Sequence, residues 1–439
     1  MLKRLKISEN GRYLCQETGE PFFWLGDTAW ELFHRLDRAQ AEYYLKNRAK
    51  KGFNVIQAVA LAEQDGLRVP NAYGRVPLLK DEQGRFDPCR PDTKGDSYWS
   101  HVDAVMDLAE SLGLYVALLP TWGDKYNVKS FGVGPEIFTP ENAFQYGFWL
   151  GKRYGDRANL IWLLGGDRPL ETETHFSVVR MMKKGLRDGE AFPHLIGFHP
   201  PGDSSSSAFL PDELDFHMIQ SGHMMDCYLN YHMVEADYAR KPVRPVIDGE
   251  PRYEDHPKNF RPEDGFFHDA DVRSAAYWSV FSGAFGHTYG HSSVWCMEES
   301  ASEYRPFVWR QALGRPGAGQ MKHLKRLMLS RPFFERIPCQ KLVPESRADE
   351  GHLCATRGER YAMVYTPNGN PFRVELGHIA GEKLVASWYD PRTGRMVPAG
   401  ECENRGSAVF SPPKAGLDWV LVLDDSAAEF AGRVLSKKS

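Results

Sequence analysis

Eight short apolar runs, each separated from the next by a polar or amphipathic stretch, dominate the first 300 residues of this chain. They are FFWLG (22–26), NVIQAVAL (54–61), YVALLP (115–120), LIWLL (160–164), HLIGFH (194–199), DFHMIQ (215–220), RPVIDGE (244–250) and AFGHTYG (284–290). Near-continuous apolar runs of this length suit strands that are buried on both faces. Between them lie segments with a helical stripe. In YWSHVDAVMDLAESLG (98–113) the apolar positions 98, 102, 105, 106, 108, 109 and 112 gather on one side. Similar helices are expected over 38–52, 141–156, 172–189, 226–242 and 269–283, with Gly52, Gly113 and Gly189 just past helix ends. Strands alternating with helices imply a parallel sheet, and eight repeats favour a closed (β/α)8 TIM barrel. The competing fold, an open doubly wound sheet, would bring a Gly-rich nucleotide loop after the first strand. WLGDTAWELF is no such loop.

Two connections break the rhythm. PPGDSSSSAFLPDEL (200–214) is Pro- and Ser-rich, so the fifth helix is expected to be short or absent. Residues 62–96 form a long loop after the second strand, and long loops on the C-terminal face of a barrel carry specificity. After about residue 335 the pattern becomes short alternating strands with turns such as PNGN and DPRTG, the signature of a small antiparallel β-sandwich. The chain therefore divides into a barrel domain, 1–334, and a β-sandwich domain, 335–439. A helical bridge at 315–334 connects them.

A formal net charge of -4 gives no reason to expect nucleic acid or an anionic membrane as partner. No window holds the roughly 18 consecutive apolar residues of a membrane span. No apolar stretch follows MLKRLKISENGRYL, so a cytoplasmic protein is expected. The seven cysteines are dispersed without a CxxC pair and read as reduced thiols.

In such a barrel, chemistry sits at the C-terminal ends of the strands. The first strand offers Asp27 and Trp30, the second Gln57, and the third Trp122, Asp124, Lys125 and Asn127. The fourth ends in Gly165-Gly166-Asp167, the fifth in His199, and the sixth in Gln220 and His223. The seventh delivers Asp248 and Glu250, with Tyr253 and Glu254 behind, and the eighth His287, Tyr289, His291 and Trp295. Carboxylates, amides and imidazoles suit hydroxyl groups, and indole faces suit sugar rings. The expected substrate-binding set is therefore Asp27, Trp30, Gln57, Trp122, Lys125, His199, Gln220, His223, Tyr253, Tyr289, His291 and Trp295, with an oligosaccharide or small glycoside as partner. Glycosidic hydrolysis needs one protonated and one ionised carboxyl group. Asp167 and Glu250 are the best-placed pair, facing one another across the mouth.

Each acid also has a plainer reading. Asp167 could cap a helix or pair with Arg168, and Glu250 could pair with Arg244 or Arg252. Asp248 shares a strand face with Glu250, lies deeper, and is expected to hold Glu250 or a neighbouring histidine. Asp27 reads equally well as a buried structural acid. The histidine pairs of HMIQSGH and HTYGH raise a metal-dependent hydrolase, but the opening HxH of amidohydrolase barrels is replaced by GDT. No metal and no cofactor is expected. No GxSxG elbow supports a serine hydrolase. A non-catalytic carbohydrate-binding barrel is the last alternative.

In order along the chain, PFFWLGDTAWELFHRL, GFNVIQ, YVALLPTWGDKYN, IWLLGGDRP, VIDGEPRYE and GHTYGHSSVW resemble glycoside hydrolase family 140. These are apiosidase-like barrel enzymes related to the retaining clan A. The resemblance covers nearly the whole chain, including the small β domain that in this family is named for collagen binding. It implies catalytic acids after strands four and seven. The aspartate of GGDR, Asp167, would be the general acid/base, and the glutamate of GEP, Glu250, the nucleophile. It also implies release of apiose, a furanose, from branched pectin side chains. Two features depart from the pattern. Pectin-degrading members carry an export signal, so an imported oligosaccharide or small glycoside is expected here. Many clan A enzymes have Asn-Glu where this chain has Gly166-Asp167, and the shorter aspartate suits a smaller sugar held closer.

Overall fold

The computed structural model describes residues 2–129, 132–225 and 229–430. All eight apolar runs form barrel strands. They are β1 (Trp24–Thr28), β2 (Val55–Val59), β3 (Tyr115–Leu119), β4 (Leu160–Gly165), β5 (Ile196–His199), β6 (His217–Gln220), β7 (Val246–Asp248) and β8 (Gly286–Tyr289). Every position in them is buried. The sheet order β5-β4-β3-β2-β1-β8-β7-β6 is parallel throughout.

The seam between β5 and β6 is closed differently. The Asp215 N–H donates to the Ile196 carbonyl (2.9 Å), and the Phe216 ring fills the space above Gly197, where a Cβ would come within 2.4 Å of it. The connection 200–214 forms no α-helix, only a one-turn 3-10 helix at Ser206–Ala208. Its Ser204–Ser205 segment instead pairs antiparallel with Ile219 and Gln220. That extra strand satisfies backbone groups at the edge of β6 that the seam leaves without a parallel partner.

The outer helices lie where the sequence places them, at Arg38–Lys50, Tyr98–Ser111, Pro140–Tyr154, Glu173–Gly189, Asn230–Ala239 and Asp269–Phe281. Asp226, Cys227 and Tyr228, at the start of the expected 226–242 helix, lie outside the described residues. Asp37, Ser97, Thr139 and Thr172 cap their helices by accepting a backbone N–H. Gly52 and Gly113 adopt the left-handed conformation of a helix stop. Gly189 does not, and its expected role is corrected. It is the last residue of its helix, part of a close contact between Pro140–Tyr154 and Glu173–Gly189. A Cβ at Gly147, Gly151, Gly185 or Gly189 would lie 2.4, 2.5, 2.2 or 2.4 Å from a carbonyl oxygen of the facing helix.

Two further elements carry no strong periodic signal. A small antiparallel sheet of Leu5–Ile7, Leu14–Gln16 and Pro21–Phe22 packs Phe22 on Tyr115 at the start of β3 (5.1 Å). The 62–96 loop contains a hairpin of Leu78–Lys80 and Phe86–Pro91. The helix Pro316–Leu329 leads into the second domain, where a six-stranded antiparallel sheet and the pair Phe372–Glu375 with Ser407–Phe410 enclose an apolar core. Residues 431–439 of the expected domain lie outside the described residues. Among the described residues no helix is long and apolar enough to cross a membrane.

The two domains are joined by buried charge. Arg273, on Asp269–Phe281, donates twice to Asp418 (2.9 and 2.9 Å), and Arg331 donates twice to Asp424 (3.2 and 2.8 Å). The Trp278 indole N–H reaches the His352 carbonyl (2.9 Å), and Tyr277 stacks on Tyr365 (4.9 Å). Replacing Asp418 by Ala leaves the Arg273 guanidinium buried without its main counter-charge. A loss of about 3 kcal/mol is expected, at the low end for a broken buried pair because Asp269 and Gln320 still accept from Arg273. Urea unfolding of the full chain measures it.

Candidate active site

The site is built around a turn that few residues can make. Gly165, Gly166 and Asp167 have φ of 92°, 109° and 60°, three left-handed residues in succession. A Cβ on Gly165 would sit 2.2 Å from the His199 carbonyl oxygen, and one on Gly166 would sit 2.6 Å from the Gly123 nitrogen. The turn is tied on both sides. Gly166 N–H donates to His199 O (3.1 Å), and Gly123 N–H donates to Gly166 O (3.0 Å). Aspartate tolerates the left-handed region better than most residues with a side chain.

Asp167 and Glu250 line one cavity of about 780 Å³ at the C-terminal mouth of the barrel. Burial alone would push the Glu250 carboxyl up. Two imidazoles outweigh it, with His199 Nε2 3.0 Å from Oε2 and His223 Nε2 3.2 Å from Oε1, and hold Glu250 far below the usual carboxylate range. Asp167 moves the other way. Burial and then the charge of Glu250 raise it, against Arg168, whose Nη1 donates to Oδ2 at 2.9 Å, and against His199. One cavity thus holds an acid that sheds its proton early and an acid that keeps it to higher pH, the division that two-carboxylate chemistry needs. The Asp167–Arg168 pair of the plainer reading is present. The Arg244 pair suggested for Glu250 is not formed among the described residues, because Arg244 donates instead to the Leu214 and Asp212 carbonyls, and histidines stand against both Glu250 oxygens.

Of the expected binding residues, Trp30, Trp122, Gln220, His223, Tyr253 and Trp295 line the cavity, and His199 reaches it through Glu250. Five others are corrected, because each is fully or almost fully buried with partners inside the protein. Asp27 accepts from Arg48 (2.7 Å) and Tyr44 (2.5 Å). Gln57 donates to the Gly249 carbonyl (2.9 Å), and Lys125 pairs with Asp124 (2.6 Å) and donates to Ala62 O (3.0 Å). The Tyr289 hydroxyl donates to Glu254 (2.5 Å), and His291 pairs with Asp255 (3.0 Å). Asp248 is also corrected. It accepts from Ser221 (2.7 Å) and Asn230 (2.9 Å), not from Glu250 or a histidine, and burial pushes it up to about 6. Among the described residues no group of three or more His, Cys, Asp and Glu side chains is arranged to hold a metal ion.

The sequence reading missed Glu63, Met224, His256, Phe260, Tyr304 and Arg305, which also line the cavity. All lie in loops or, for Phe260, in the one-turn 3-10 helix Lys258–Phe260, where no periodicity marks a residue. The available signal was the unusual length of the loop carrying Glu63 and the aromatic content of the stretch after β7.

Residues 8–335 match the family described as "Apiosidase-like, catalytic domain". The chain belongs to the apiosidase-like glycoside hydrolases. Residues 337–424 match the "Putative collagen-binding domain of a collagenase" family. A solved glycoside hydrolase is 34% identical over 97% of this chain and 98% of its own, with a TM-score of 0.87. A second, from Bacteroides vulgatus ATCC 8482 and described as glycoside hydrolase family 5, is 34% identical over 97% and 94%, also with a TM-score of 0.87. No curated protein matches this apiosidase-like chain.

In this enzyme Gly165→Ala would drive a Cβ into the His199 carbonyl and impose a left-handed φ on alanine. A loss of about 2 kcal/mol is expected from that strain. A lowered urea midpoint with an unchanged m-value checks it, and an unchanged midpoint would mean the turn relaxes freely.

Proposed function

We propose that this apiosidase-like enzyme is a retaining glycosidase that frees a furanose, apiose-like sugar from a branched oligosaccharide or small glycoside. Asp167 protonates the leaving oxygen while Glu250 attacks the anomeric carbon and forms a glycosyl-enzyme. Asp167, now ionised, then takes a proton from water, which attacks the same carbon and releases the sugar and Glu250. The observation that carries this reading is the opposed state of two acids in one cavity, with Glu250 held ionised by two imidazoles and Asp167 raised beside it. Support for a sugar comes from Trp30 and Trp122 on the cavity wall. Among the described residues the Trp122 indole N–H has no protein partner.

A screen of aryl furanosides and pyranosides, apiosides included, with the first-formed anomer read by NMR, tests sugar and stereochemistry together. Retention at a furanoside is expected, and inversion would remove Glu250 from the nucleophile role. Asp167→Asn and Glu250→Gln should each lower kcat/KM by at least about 10³-fold without loss of fold. A binding barrel would show neither activity nor that loss.

The pH profile has a definite sign. Activity needs Glu250 ionised, so it falls on the acid side as Glu250 takes up a proton, and the depressed Glu250 places that limb below the ordinary carboxylate range. It falls on the alkaline side as Asp167 loses its proton, above the usual aspartate range. His223→Ala removes one of the two imidazoles that lower Glu250, so the acid limb should move to higher pH. An acid limb that stays in place would show that His223 does not set the Glu250 charge.

A further inference from the structure

A third carboxyl group, Glu63, stands in the cavity wall on the loop that leaves β2. Its backbone is held firmly. The preceding carbonyl, Ala62, accepts from Lys125 (3.0 Å), and its own carbonyl accepts from Asp65 N–H (2.7 Å). The charges that act on it most strongly are those of Asp167, Glu31 and Asp124, against the cation Arg168. Each neighbouring acid already has its compensation. Glu31 has His34 (2.6 Å) and the Gln64 N–H (3.0 Å), and Asp124 has Lys125 (2.6 Å) and the Gly134 N–H (2.9 Å). Asp167 has Arg168 (2.9 Å), and Glu250 has His199 and His223. Among the described residues, Glu63 makes no side-chain hydrogen bond or salt bridge.

A carboxylate in this place, half-buried among three acids, would be a poorly compensated charge. The same group with its proton on is neutral and can donate a hydrogen bond, which is the useful form of an acid in such surroundings. Burial and then the charge of Asp167 push Glu63 well up, in the same sense.

We propose that Glu63 is a substrate-contacting residue that works as a neutral carboxylic acid, donating a hydrogen bond to a hydroxyl of the sugar seated beside Asp167. The proposal rests on the glycosidase reading above and adds a specificity contact on the Asp167 side of the cavity. It also assigns a function to the long loop after β2, because that loop brings a proton donor beside Asp167.

Full-length wild type, Glu63→Gln and Glu63→Ala, assayed for kcat and KM on the best aryl glycoside of the screen, test it. An amide donates as a protonated acid does, so Glu63→Gln should lose no more than about threefold in kcat/KM. Glu63→Ala, with no donor, should lose about 30-fold. The alkaline limb should also change. In the wild type it contains proton loss from both Asp167 and Glu63, and in Glu63→Gln it should become that of a single group. Glu63→Gln as damaged as Glu63→Ala would mean that an ionised acceptor is needed, and would overturn the proposal. Two fully active variants would overturn it by removing the contact. The isosteric Gln variant carries the test if the Ala variant folds poorly. A wild type inactive on every glycoside overturns the glycosidase reading, and this proposal with it, a result distinct from an active wild type with indifferent variants.

Discussion

Two carboxyl groups in one buried cavity cannot both be charged unless something answers each of them, and here the answer is given to Glu250. His199 comes from the end of β5 and His223 from the loop after β6, one on each oxygen, and both are themselves fixed. His199 stands edge-on to Trp30, with ring centroids 5.0 Å apart and an interplanar angle of 84°. His223 stacks on His256 at 4.3 Å. Burial and then the neighbouring His223 drive His256 far below the usual histidine range, so it stays neutral. A neutral ring stacked on His223 adds no positive charge of its own on that side of Glu250. Asp167 receives Arg168, His199 at longer range and Gln220, which together do not offset burial and the Glu250 charge, and it remains raised. The asymmetry between the two acids is thus made by imidazole placement.

That placement relies on elements far from the cavity. Glu254, next to Tyr253 in the loop after β7, accepts from Tyr289 on β8 and from the Gly317 N–H (3.1 Å) at the start of helix Pro316–Leu329. Asp255 is held by Arg315 and His291. The same helix and its neighbour Asp269–Phe281 carry the second domain, whose sheet is fastened to them through Asp418, Asp424 and the Tyr277–Tyr365 stack. The β domain therefore backs the part of the barrel that aims Tyr253 and His256 into the cavity. Its surface against the barrel is committed to this packing, whatever its outer face binds.

Much of this was readable in advance, for physical reasons. Strands buried on both faces must be apolar along their whole length, so eight such runs marked eight strands and their ends marked the rim. The GGD turn was legible as well, because two glycines before an acid suggest a close backbone approach, and the chain does meet His199 O and Gly123 N there. What stayed hidden was which rim acids are already satisfied. Asp27, Asp248 and Glu254 occupy strand ends or the loops just beyond them, as Glu250 does. Asp27 is answered by Arg48 and Tyr44 from a helix behind the barrel, and Asp248 by Asn230 from another. Glu254 is answered by Tyr289 from the next strand. Such partners are set by packing between segments distant in sequence, and no local pattern encodes them. Gly189 misled for the same reason. Its missing side chain serves a facing helix rather than a helix stop.

The rim acids sort by where their compensation comes from. Those that stabilise the barrel are bound by groups that no ligand can displace, because the partners are buried with them. Asp167 and Glu250, which line the cavity, are answered by the residue next in sequence, Arg168, and by the imidazoles of His199 and His223, and keep a face toward the open space, while Glu63 beside them has no such partner among the described residues. The short side chain at position 167 fits this scheme. The left-handed Gly165-Gly166-Asp167 run takes the backbone out of the strand direction at the point where the acid is needed, so presentation depends on the main chain more than on side-chain length. A rigid main-chain turn also leaves an aspartate fewer rotamers to lose than a glutamate would have.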